Sequence, residues 1–191
     1  MIAFVEKDRV VIAYSPNCAL NGYREFALSQ EDLFLESNLL IWKMKGFKNC
    51  LMCGWEQLRE CDLFRYGKPL IKGGEITVKR LVGEFRPAML KRAEEEGFVS
   101  EDEKLENNYM IAQNNRLYLL VGDLVHEVED WATIGIYDRE AICVLLEEYK
   151  DLPLDEKLRK ISEYTEATEG SVMFPLLVMD TKTQEVRVLE R

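Results

Sequence analysis

The chain opens with two short runs of β-branched and aromatic residues, Ile2-Ala3-Phe4-Val5 and Val10-Val11-Ile12-Ala13-Tyr14, parted by the charged turn Glu6-Lys7-Asp8-Arg9. That pattern predicts a β-hairpin beginning with the chain itself, and it is apolar enough for a sheet centre. Ser15 to Gly22 has loop chemistry. Tyr23 to Asn38 stays open between a short helix started by Ser29 and Asp32 and an extended segment over Asp32–Glu36. Leu39–Met44 and Phe47–Cys53, parted by Lys45-Gly46, predict a second hairpin.

The period then lengthens. Trp55, Leu58, Cys61, Asp62 and Phe64 fall on helical spacing up to Gly67. Ile76, Leu81, Phe85 and Met89 mark a longer helix ending near Gly97, where Pro87 implies a kink or a break. Asn108–Ala112, Leu117–Val121, Leu124–Val128 and Trp131–Ile136 predict a strand meander, because Asn114-Asn115 and Gly122-Asp123 tolerate the positive φ of tight hairpin turns. Asp138 caps a helix with Ala141, Ile142, Leu145, Leu146 and Tyr149 on one face. After Pro153 a second helix runs from Leu154 to about Thr168, with Leu158, Ile161 and Tyr164 inward and Gly170 as its stop. Val172–Met179 and Val186–Leu189 close the chain around a turn at Asp180–Lys182.

Strands, two helices, a meander, two helices and two strands suggest an α+β fold: two antiparallel sheets stacked face to face between helical layers, a four-layer αββα sandwich. At 191 residues the chain is expected to form a single domain over 1–191. The net charge of −10, with acid concentrated in Glu94–Glu96 and Glu101–Glu103, argues against nucleic-acid phosphate or an anionic membrane as partner. Lacking a secretory segment or a long apolar span, the protein is expected in the cytoplasm, with its five cysteines reduced.

Candidate chemistry is sparse. Cys50 and Cys53 spell Cys-x-x-Cys, but residues three apart on a strand point to opposite faces, so the thiols should not converge. With one histidine in the chain, a tetrahedral zinc site has too few ligands, and neither metal nor cofactor is expected. That histidine, His126, lies on strand-like sequence and reads as structural or surface. No spacing supports a Cys-His hydrolase built on Cys143 or Cys61.

The order of elements resembles that of proteasome-type N-terminal nucleophile hydrolases, in particular the β-type subunits and the bacterial proteasome-like peptidase. The residues carrying it are the opening hairpin, Lys43-Met44 before a strand and helix, and Asn115-Arg116-Leu117-Tyr118 leading through Trp131–Gly135 into a helix. A last helix running into Glu166–Gly170 and a closing hairpin complete it. The resemblance implies a threonine at the head of the first strand whose hydroxyl attacks a peptide carbonyl, its own α-amine serving as base. An α-amine with a reference pKa near 8 suits that role.

Carried over by position, the nucleophile falls at or before Met1, and neither Met1 nor Ile2 bears a hydroxyl or thiol. The family's aspartate after the second strand falls on Ser15, its lysine on Lys43, and its late Asp…Ser-Gly on Glu166…Glu169-Gly170. Its Gly-Ser-Gly falls on Gly135-Ile136-Tyr137. Ser15, Lys43 and Glu166 are therefore the pocket candidates, with Glu166 the expected partner of a buried Lys43. The resemblance implies a homo-oligomer built through helical layers and outer strands. The expected function is a non-catalytic, self-assembling proteasome-like subunit. The alternatives are an active peptidase or amidohydrolase with a relocated Ser or Cys nucleophile, and a module binding a peptide or small molecule in the vacated pocket.

Overall fold

A computed structural model describes residues 1–16, 40–55, 58–98, 105, 107–135, 138–170 and 172–191. The loop expected over 17–22, the open stretch 23–38, the acidic 101–103, Cys18 and the pair Ile136-Tyr137 lie outside the described residues. Ten strands form two antiparallel five-stranded sheets. The first takes the order β10-β9-β2-β1-β8, from β1 (Ile2–Val5), β2 (Val10–Tyr14), β8 (Trp131–Thr133), β9 (Leu176–Asp180) and β10 (Val186–Leu189). The second runs β3-β4-β5-β6-β7, from β3 (Ile41–Lys43), β4 (Cys50–Trp55), β5 (Asn108–Gln113), β6 (Arg116–Val121) and β7 (Leu124–Val128).

Strand alternation divides the core into layers. Met1, Ala3, Ile12 and Tyr14 from the first sheet meet Leu51, Cys53, Met110 and Ala112 from the second, so the central layer lies between the sheets. Ile2, Phe4, Val11 and Ala13 face the other way, onto Ile142 of α4 (Arg139–Glu148) and Leu158 and Ile161 of α5 (Leu154–Glu169). On the far side, Cys50, Met52, Tyr109 and Ile111 pack under α1 (Leu58–Tyr66) through Cys61 and Phe64. Leu81, Phe85 and Met89 complete that layer. The result is the four-layer αββα sandwich, with the central strands of both sheets buried on both faces.

Asp138 caps α4 by accepting from the N–H groups of Glu140 and Ala141, and Gly170 ends α5 at φ 66°. Around Pro87, where a kink or a break is expected, the helix changes its winding instead of ending. Thr77 caps α2 (Val78–Arg80), which passes through a π-helical turn at Leu81–Phe85 into α3 (Arg86–Glu95). The Arg86 N–H reaches back five residues to Leu81 O. Widening by one residue absorbs the donor that Pro87 lacks, and the chain continues without a break. Two boundaries also move: Trp55 ends β4 rather than opening a helix, and Ile76 is buried ahead of α2.

Candidate functional site

The register puts Met1 beside Tyr14 at one end of the first sheet, because Ile2 pairs with Ala13. Met1 and Ile134 exchange both main-chain bonds at 3.1 Å, so the α-amino group donates to Ile134 O and the chain is a sheet member from its first residue. The Met1 side chain is 2% exposed and lies in the inter-sheet core. Around this end stand Tyr14, whose hydroxyl accepts from the Leu40 N–H at 3.2 Å, and the fully buried Cys53. Burial pushes the Cys53 thiol up to about 12, against the opposing pull of the α-ammonium. A thiol so placed stays protonated at neutral pH and makes a poor nucleophile.

Trp55 seals the same end. It lies against Gly135, whose φ is +95° and where an added Cβ would come within 2.7 Å of the indole. Only glycine fits both the backbone angle and the approach of the ring.

Of the three residues picked from sequence, two meet on one segment. Ser15 is buried at 2% exposure, and its hydroxyl donates to Val172 O at 3.2 Å. Glu166 Oε1 accepts from the N–H groups of Met173 (2.8 Å) and Phe174 (3.4 Å), while its other oxygen pairs with Arg191. Arg191 in turn lies over the Phe174 ring. Both side chains therefore pin the stretch leading into β9, and these contacts occupy the carboxylate that sequence offered to a lysine.

Lys43 is elsewhere. It pairs with Leu51 at the end of the second sheet where β4 begins. Gln184 donates to Cys50 O and Thr181 N–H to Val10 O, so this end shares the β1–β2 turn rather than Met1. Its side chain is exposed. At the amino end, Leu40 stands beside Tyr14 instead.

Cys50 and Cys53 point into different layers, as the alternation implied. His126 is exposed on the edge strand β7. Among the described residues, no group of three or more His, Cys, Asp or Glu is placed to hold a metal ion. No helix there is long and apolar enough to cross a membrane. Sequence reasoning missed Tyr14, Trp55 with Gly135, and a cleft at the Lys43 end lined by Arg65 and Tyr66. A tyrosine closing an apolar strand was the one available signal for the first.

Two five-stranded antiparallel sheets between helical layers, with the chain starting inside the central one, make a proteasome-like fold. Among solved structures, BPH from Thiobacillus denitrificans superposes with a TM-score of 0.65 at 14% identity, over 94% of this chain and 96% of that one. The same protein in complex with epoxomicin gives 0.64 at 12% identity, over 100% and 99%. At such identities the likeness is one of fold. No protein-family model and no curated protein matches the sequence.

Proposed function

We propose that this chain is a proteasome-fold protein without the threonine chemistry, acting as a non-catalytic, self-assembling subunit. One observation carries the reading: the head of β1 presents Met1 and Ile2, and the Met1 thioether fills the inter-sheet core where the resemblance calls for an alcohol. The groups around it support the same view. Cys53 is held as a neutral thiol, and the Ser15 hydroxyl donates to the Val172 main-chain carbonyl. Removing the nucleophile of a covalent mechanism costs about 10⁶ in rate.

Assembly has support in an apolar ridge. Val78 and Val82, one helical turn apart, are exposed beside Val121 and Leu124 of the β6–β7 hairpin, and Leu124 is 72% exposed. Arg86 fastens hairpin to helix by donating to Gly122 O and pairing with Asp123. A helical layer and an outer strand thus offer one apolar surface of the kind a second copy would cover.

A broad panel of fluorogenic peptides and amides, run beside light scattering, tests both parts. The expected result is turnover no faster than buffer and a mass several times 22.3 kDa. Saturable turnover lost in Ser15→Ala would establish a relocated nucleophile and overturn the first part. A 22.3 kDa particle would overturn the second.

A further inference from the structure

The second end of the sandwich carries a cleft that the proposed function does not use. It opens between β3 and β10, which among the described residues are edge strands of the two sheets, under the C-terminus of α1, and has a volume of about 500 Å³. Pockets that hold small organic molecules run from about 300 to 1,000 Å³. Ile41, Met179 and Val186 make its apolar walls.

Its charge is the anomaly. In a chain of net charge −10, the described residues lining the cleft include Lys43, Lys45 and Arg65 and no carboxylate. Arg65 is 8% exposed, pairs with Asp62 outside the lining, and stacks its guanidinium over the rings of Trp42 (5.3 Å) and Tyr66 (5.6 Å). Lys45 is held in place by donating to Tyr66 O at 3.0 Å and Gly67 O at 3.3 Å, which leaves its third N–H for other use. Lys43 stands exposed at the rim. Gathering like charges around an apolar hollow is unfavourable unless an anion offsets them. Tyr66, 51% exposed at the mouth, leaves ring surface for an aromatic body to stack on.

We infer that this cleft binds a small aromatic carboxylate, its ring between Tyr66 and the apolar walls and its carboxylate facing Lys43 and Lys45. Arg65 is a positioning residue that fixes the two aromatic rings. The inference stands apart from the head of β1, since Met1, Tyr14 and Cys53 are not among the residues lining the cleft.

The test titrates the full chain with 3-phenylpropionate, its neutral amide and 3-phenylpropylamine, following amide chemical shifts at low salt. The carboxylate is expected to saturate and to shift residues of β3 and β10, with the amide about tenfold weaker and the amine weaker still. Lys43→Glu, at an exposed position, should lower carboxylate affinity about tenfold, whereas Lys150→Glu, between α4 and α5, should leave it unchanged. Tyr66→Ala should weaken acid and amide alike, by about three- to tenfold. Equal affinity for acid and amide, an unaltered affinity in Lys43→Glu, or no saturation up to about 10 mM would overturn the assignment.

Discussion

The two ends of the sandwich are built on opposite plans. At the amino end Met1, Tyr14, Leu40 and Cys53 are nearly all withdrawn from solvent, and Trp55 closes over Gly135. At the other, strand edges stop short of each other and leave cations around an apolar hollow. A catalytic site needs a reactive group, access and a matched base. Among the described residues, the groups of the first end are buried, whereas the second end is open and lined by cations. The contrast separates what the fold provides, a sheet that begins with the chain, from what the side chains placed there can do.

The largest expected effect contrasts one tyrosine from each end. Tyr14→Ala removes a ring that is 1% exposed and strips the Leu40 N–H of its acceptor, so it should cost about 3–5 kcal/mol in chemical denaturation. Tyr66→Ala, at 51% exposure, should change stability by no more than about 0.5 kcal/mol. Comparable losses would break the comparison. Next is Gly135→Ala, which forces a side chain into φ +95° and against the Trp55 ring; a loss of about 1–3 kcal/mol and a shifted indole emission are expected. A neutral result would show that Trp55 does not seal that end.

The smallest effect concerns Asp180, in the turn at the cleft end. Burial works to raise its pKa, but the N–H and hydroxyl of Thr183, the Lys182 N–H and Arg9 outweigh it and hold the carboxylate below its ordinary value. A depressed folded pKa stabilises at every pH above the unfolded value near 4, and that contribution fades as pH falls through the lower folded value. Asp180→Asn should therefore cost about 1 kcal/mol at pH 6 and almost nothing near pH 2, read from urea midpoints. A loss independent of pH would assign the effect to geometry rather than charge.

Most of the architecture was legible in sequence because the central strands of both sheets are buried on both faces, so they read as dense apolar runs between turn residues. The opposed faces of Cys50 and Cys53 followed from strand periodicity alone. What escaped lay in contacts between distant elements. Val172–Pro175 looked like strand, yet the Glu166 carboxylate takes the N–H groups of Met173 and Phe174, and Pro175 has none to offer a ladder. Trp55 sits on helical spacing with Leu58 but ends a strand, because its β5 partner Asn108 continues the pairing. For the site, order along the chain showed Lys43 near a strand end without showing which end; the pairing of Ile41 with Cys53 and Lys43 with Leu51 decides that.

The central claim is that the head of β1 is packed rather than reactive. Its most direct test is the intact mass of the purified protein after incubation with epoxomicin, the molecule with which BPH was solved. The account predicts no added mass. A chain that opens with serine, threonine or cysteine and retains one epoxomicin per subunit would contradict it.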